Sequence, residues 1–220
     1  MPIRGAARFT VGLGLCMLVL SMRSVAVAGE PVSFRWGMAE RFGAKNDRGV
    51  PEFHWDAQKI AYRDEYVHPK SWTVIFDACD SKAEWWAWEI NGAPQPPRAK
   101  CQFTWDFDRL GKHTVGLMLK KRGAEPVVVR REIELRNWLI VSIGDSYASG
   151  EGNPDVPQEY DALHLSVKSG PKWVDRRCHR SGYAGPAQMA RTLARTIQDS
   201  VTFLSFACSG ATIDLGMIGK

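Results

Sequence analysis

The sequence predicts a β-sandwich followed by the opening part of an α/β domain, and three observations carry that expectation. Between Gly29 and Arg136, short runs alternate apolar and polar residues with period two. Between Asn137 and Lys220, two wholly apolar runs flank a stretch with helical period. Turn residues separate the runs in both regions, as in Asn91-Gly92-Ala93-Pro94 and Gly144-Asp145-Ser146.

The first 28 residues belong to neither region. Arg4 and Arg8 precede an apolar run from Phe9 to Met22, and Ala26-Val27-Ala28 supplies a small-residue cleavage site. This pattern predicts a secretory signal peptide cut after Ala28 and a secreted or periplasmic protein. The segment holds three of the 29 basic residues and no acid, so the mature chain has 26 basic against 24 acidic residues, a net charge of +2. That near balance argues against a nucleic-acid partner. Cleavage also leaves four cysteines, Cys79, Cys101, Cys178 and Cys208. An even count in an exported chain predicts two disulfides; four cysteines allow three connectivities, and proximity along the chain favours Cys79 with Cys101 and Cys178 with Cys208. No His/Cys spacing suits a metal site.

In the first region, a loop-like stretch with a turn at Asn46-Asp47-Arg48-Gly49 comes before the strands. Strands are expected over Ser71–Phe76, Trp86–Ile90, Cys101–Trp105, Thr114–Leu119 and Val127–Leu135, joined by turns at Asn91-Gly92, Leu110-Gly111 and Arg122-Gly123. Seven of the nine tryptophans lie here. Alternation puts Trp86 and Trp88 on one face and Trp85 on the other, so one set is core and the other could stack on sugar rings. His54, His68 and His113 stand singly and read as packed or surface histidines.

In the second region, Trp138–Ile143 reads as a buried strand ending at Gly144-Asp145-Ser146. Tyr183–Ile197 reads as an amphipathic helix with Pro186 in its first turn, Met189, Leu193 and Ile197 on one face, and Arg191 and Arg195 on another. Val201–Phe206 is a second buried strand, followed by Ala207-Cys208-Ser209-Gly210-Ala211-Thr212. A strand, helix, strand crossover makes the two strands parallel, so the loops bearing Ser146 and Gly210 leave one edge of the sheet. That is where open α/β sheets place ligand crevices. Ser146 is then a nucleophile candidate. The N–H groups of Ser146 and Gly210 could hold an oxyanion, and the Asp145 carboxylate could hold the turn.

The first region, through Trp86-x-Trp88-x-Ile90-Asn91-Gly92, Cys101-x-Phe103, Phe107 and Gly111-x-His113-x-Val115-x-Leu117, resembles immunoglobulin-like domains of the polycystic-kidney-disease-repeat type over about 65 residues. The resemblance implies a spacer, adhesion or substrate-binding module. In the second region, Gly144-Asp145-Ser146-Tyr147-Ala148-Ser149-Gly150-Glu151-Gly152 resembles the first block of the GDSL or SGNH hydrolases, and Ala207-Cys208-Ser209-Gly210-Ala211-Thr212 their second block. Between them, Cys178-His179-Arg180-Ser181-Gly182-Tyr183 is similar to a segment of exported bacterial lipase-like and esterase-like members.

That resemblance implies a flavodoxin-like three-layer α/β domain, with Ser146 as nucleophile, Ser146 and Gly210 N–H groups as oxyanion hole, and a disulfide bracing the site. The substrate it implies is an ester, of a lipid or an acylated carbohydrate, hydrolysed without cofactor or metal. The family's third-block asparagine and late Asp-x-x-His are not found before Lys220, so the expectation is an incomplete form, inactive or nearly so. A rearranged triad of Ser146, His179 and Asp175 is conceivable from the sequence, but the resemblance places His179 in a structural insert. The rival expectation is a non-catalytic carbohydrate- or cell-surface-binding protein acting through the tryptophan-rich sandwich.

Overall fold

The computed structural model describes residues 32–42 and 53–214. The expected leader at residues 1–28 and the Asn46–Gly49 turn lie outside them. In chain order the elements are β1 (Arg35–Met38), β2 (Trp55–Asp56), β3 (Ala61–Tyr62), α1 (Asp64–Val67), β4 (Trp72–Asp77), β5 (Trp85–Ile90), β6 (Ala93–Pro94), β7 (Gln102–Phe107), β8 (Gly111–Lys120) and β9 (Val127–Leu135). Next come β10 (Asn137–Ser142), α2 (Ser146–Ser149), β11 (Glu159–Asp161), β12 (Ser166–Ser169), α3 (Gly185–Thr196) and β13 (Ser200–Ser205). Among the described residues the regular structure is mostly strand, with several antiparallel sheets and few helices. None of the described helices is long and apolar enough to cross a membrane.

The first core lies between two antiparallel sheets, ordered β1-β4-β7 and β6-β5-β8-β9. Alternation decides which side chains enter it: along β5 the pattern is half-buried, buried, half-buried, so Trp86, Trp88 and Ile90 point inward while Trp85 does not. Trp88 packs at ring-centroid distances of 5.3 Å from Phe76, 5.4 Å from Phe34 and 5.6 Å from Phe103. A two-residue turn, Asn91 and Gly92 both at positive φ, reverses β5 into β6. His113 is buried beside the Phe107 ring and takes Asn91 and the Arg109 carbonyl as partners. The Cys79–Cys101 disulfide joins the end of β4 to the start of β7.

The second core packs on a parallel pair, β10 with β13, in register from Asn137 opposite Ser200 to Ser142 opposite Ser205. Of β10 only Ile140 joins it, and Trp138, Leu139, Val141 and Ile143 are exposed, so the buried strand expected at Trp138–Ile143 is instead an exposed one. The core's contributors include the stretch that the sequence leaves as a connecting loop. Phe42, Phe53 and Tyr66 pack with Val201 and Phe203 of β13 and with Ala184, Ala187 and Ala190 around α3. The aromatic segment also serves the outer edge of β13. The Tyr66 hydroxyl accepts from Phe203 N–H at 2.8 Å and lies 3.2 Å from its carbonyl, and the Tyr62 hydroxyl pairs likewise with the N–H and carbonyl of Ser205. Side chains thus occupy backbone groups that a further strand would otherwise pair. Burial pushes the Tyr62 hydroxyl up to about 12 and raises that of Tyr66 as well.

The face of α3 differs from the expected one. Met189 is exposed, whereas Arg191 is buried and donates to the Gly182 carbonyl at 3.0 Å. Ala187, Ala190 and Ala194, with Leu193 and Ile197 beside them, turn inward because three small residues on one stripe let the helix lie close against β13. At 100° per residue this stripe leaves position 189 on the outside.

Candidate functional site

The parallel register of β10 and β13 brings their C-terminal loops to one edge. The pairing continues past the strand ends: Phe206 N–H donates to Ser142 O at 2.7 Å and Cys208 N–H to Gly144 O at 3.0 Å. The Ser146 loop and the Gly210 turn are therefore tied side by side, the arrangement expected from the crossover.

Ser146 begins α2, a single turn. The Asp145 carboxylate accepts the Tyr147 N–H at 3.0 Å, and Ser149 N–H and Gly150 N–H donate to the carbonyls of Asp145 and Ser146. Gly150 closes the turn in the left-handed region at φ 95°, where an added Cβ would lie 2.9 Å from that of Ala184; only glycine fits. The loop is thus seated firmly on the entry to α3. Among the described residues the Ser146 hydroxyl has no hydrogen-bond partner.

Gly210, at φ 81°, is the third residue of a turn closed by Ala211 N–H donating to Cys208 O at 3.0 Å. The Gly210 N–H meets no acceptor among the described residues, and the space where a Cβ would stand is open. The turn is held from behind by the Cys178–Cys208 disulfide and by Ser209 N–H donating to Cys178 O at 3.1 Å. Both bridges thus follow the favoured connectivity, and two disulfides fit maturation in an oxidising compartment.

Two hollows open on this rim. One, of about 390 Å³, is lined by Ser146, Tyr147, Gly150, Glu151, Gly152 and Asn153. The other, of about 560 Å³, runs between Gly144-Asp145 and Cys208 and has apolar walls from Ile143, Phe206 and Ile213.

Neither loop histidine stands in a triad. His179 Nδ1 lies 2.7 Å from the Glu151 carboxylate and its ring stacks on Trp173 at 4.0 Å. Asp175 pairs instead with Arg180 at 3.0 Å, both buried, with the guanidinium over the Trp55 ring and donating to the Ser205 carbonyl. His164 is held by Asp161 at 2.7 Å in the exposed β11–β12 hairpin. The Ser146, His179, Asp175 triad is therefore not assembled: each of its ionisable members faces another partner.

Two acidic groups escaped the sequence analysis. Asp155 accepts Val174 N–H at 2.7 Å and Gly182 N–H at 2.9 Å; burial nevertheless pushes its carboxyl above the usual range. The Glu151 carboxyl is held below that range by hydrogen bonds from Ser209 and His179. The signal for Glu151 was its place between Gly150 and Gly152, a charge on a chain of glycines. Of the seven tryptophans of the first region, Trp72, Trp86 and Trp88 are buried and Trp36, Trp55, Trp85 and Trp105 half-buried, and Trp138 on β10 is the exposed tryptophan among the described residues.

No family model matches the chain, and no curated protein matches it significantly. Among solved structures it is similar to an active-site mutant of a family two carbohydrate esterase from Clostridium thermocellum, at 16% identity and a TM-score of 0.22, covering 83% of this chain and 53% of that one. A second structure of a family two carbohydrate esterase from that organism, in complex with cellohexaose, gives 16% identity, a TM-score of 0.16 and coverage of 79% and 52%. The chain spans about half the length of these solved structures. At TM-scores this far below 0.5, neither defines a shared fold.

Proposed function

We propose that the chain carries the nucleophile and oxyanion half of an exported ester hydrolase site of the SGNH type, appended to an immunoglobulin-like sandwich. One observation carries the reading: the parallel pair presents a serine hydroxyl and a glycine N–H, both unpartnered among the described residues, on adjacent loops of one edge, stapled together through Cys208 N–H and Gly144 O. Acyl transfer needs that pairing of nucleophile with preorganised donors. Ser146 Oγ would attack the ester carbonyl while the N–H groups of Ser146 and Gly210 hold the oxyanion. No base stands against Ser146 among the described residues, so turnover by this chain alone should be slight.

The rival reading, glycan binding by the first region, calls for an open aromatic face, and of its tryptophans Trp72, Trp86 and Trp88 are buried while Trp36, Trp55, Trp85 and Trp105 are only half-buried. The ester reading is tested with an alkyl fluorophosphonate and imidazole as surrogate base. Ser146 Oγ forms the O–P bond, fluoride leaves, and imidazole takes the proton. The tryptic peptide containing Ser146 should gain the phosphonyl mass at a rate that rises with imidazole, and Ser146→Ala should abolish it. Labelling of other serines with Ser146 untouched would overturn the assignment. Rapid p-nitrophenyl ester turnover without imidazole, lost in Ser146→Ala, would instead reveal a base within the chain.

A further inference from the structure

We infer that Glu151 is a positioning residue of this site, whose carboxylate ties the Ser146 loop, through His179, to the disulfide-braced Gly210 turn and so sets the gap between nucleophile and oxyanion donors. The inference rests on the ester hydrolase reading and adds to it the residue that aligns the two halves of the rim.

The backbone of Glu151 belongs to the Ser146 loop, since its N–H donates to the Ser146 carbonyl at 3.1 Å. Its side chain leaves that loop. The carboxylate lies 2.7 Å from Nδ1 of His179. That histidine sits on a constrained segment: Cys178, beside His179, bridges to Cys208, beside Ser209, while Ser209 N–H bonds back to Cys178 O. His179 is further fixed by its stack on Trp173, whose indole N–H donates to the Gly150 carbonyl at 3.2 Å. The chain of contacts returns to its origin one residue from Glu151. A carboxylate suits this node because it accepts and offers no donor of its own.

Exposure separates a positioning role from a merely stabilising one. The Glu151 side chain is 42% exposed and that of His179 33%. Pairs this open to solvent contribute little to folding. Their geometry is another matter, because a displacement of about 1 Å at reacting groups can cost about a hundredfold in rate. Removing the carboxylate should therefore change reactivity at Ser146 far more than stability.

The test measures the second-order rate of Ser146 phosphonylation by the fluorophosphonate, with imidazole, in the full chain, alongside thermal unfolding. Glu151→Ala should slow labelling about tenfold or more with a melting temperature within about two degrees of the unsubstituted protein. Glu151→Gln, which keeps one acceptor oxygen, should recover part of the loss. His179→Phe, which keeps a ring on Trp173 but removes Nδ1, should also slow labelling, and the Glu151→Ala/His179→Phe double variant should be no slower than Glu151→Ala, since both break one tie. If Glu151→Ala fails to fold, Glu151→Gln and His179→Phe carry the same comparison. An unchanged rate in Glu151→Ala, or losses that multiply in the double variant and follow the melting temperature, would overturn the inference. Absence of labelling at Ser146 in the unsubstituted protein would instead remove the site reading, and the inference with it.

Discussion

The two hydrophobic cores of this chain are closed by different means. In the first, two antiparallel sheets cover one another, and each strand contributes every second side chain. In the second, a parallel pair has no facing sheet among the described residues; α3 and a distant aromatic segment cover one face of it, and two tyrosine hydroxyls pair with the backbone edge of β13. A sheet that meets another sheet needs only alternation, whereas a two-stranded parallel sheet must recruit partners for its face and its edge from elsewhere in the chain. The functional rim belongs to the second kind, so its precision depends on residues remote in sequence.

The largest effects should come from emptying either core. Trp88 and Phe203 are each about 1% exposed and sit among aromatic rings. Replacement by alanine should cost about 3–5 kcal/mol in each case, with Trp88→Ala towards the lower end because it also removes an indole N–H that has no partner among the described residues. Urea unfolding followed by far-ultraviolet circular dichroism measures both. A cost below about 1 kcal/mol for Phe203→Ala would break the comparison by showing the second cluster to be a surface patch and not a core.

A smaller effect sharpens the claim about the edge of β13. Tyr66→Phe preserves the buried ring but removes the hydroxyl that serves both the N–H and the carbonyl of Phe203. Leaving buried backbone groups unpaired should cost about 1–3 kcal/mol in the same urea assay. Amide hydrogen exchange locates the change: the Phe203 N–H should exchange faster, while amides of β8 keep their protection. Equal exchange at Phe203 in both proteins would mean that the hydroxyl is not its working partner.

This division also explains how much was legible beforehand. Strands β4, β5, β7, β8 and β9 were visible because alternation over five or more residues is a local pattern, and the facing of Trp85 against Trp86 and Trp88 followed from it. The rim was visible too, since handed crossovers place Ser146 and Gly210 on one edge from strand order alone. The remainder was set by tertiary contact. Strands β1, β2 and β3 and the β11–β12 hairpin are two to four residues each, too short to show a period. On α3, large apolar residues at fourfold spacing drew attention to Met189, when close approach selected the alanines. Glu151 and His179 stand 28 residues apart, on irregular segments, so nothing local announces that they touch.

The smallest expected effect concerns the outward side of β10. Leu139 and Val141, on one face of β10, are 60% and 49% exposed, in contrast to Val201 and Phe203, which turn to the other face of the strand beside them and are buried. A charge at position 141 therefore displaces no core contact, and Val141→Lys should change stability by no more than about 0.5 kcal/mol. Its larger consequence lies in association. An exposed apolar strand is a template for pairing with other chains, and a lysine there obstructs that pairing. Light scattering of the concentrated protein should fall in Val141→Lys, whereas Val201→Lys on β13 should unfold the second core. If Val141→Lys proved as damaging as a substitution in β13, the outward side of β10 would be a packed surface, and the contrast between a self-covered core and a recruited one would fail at that strand.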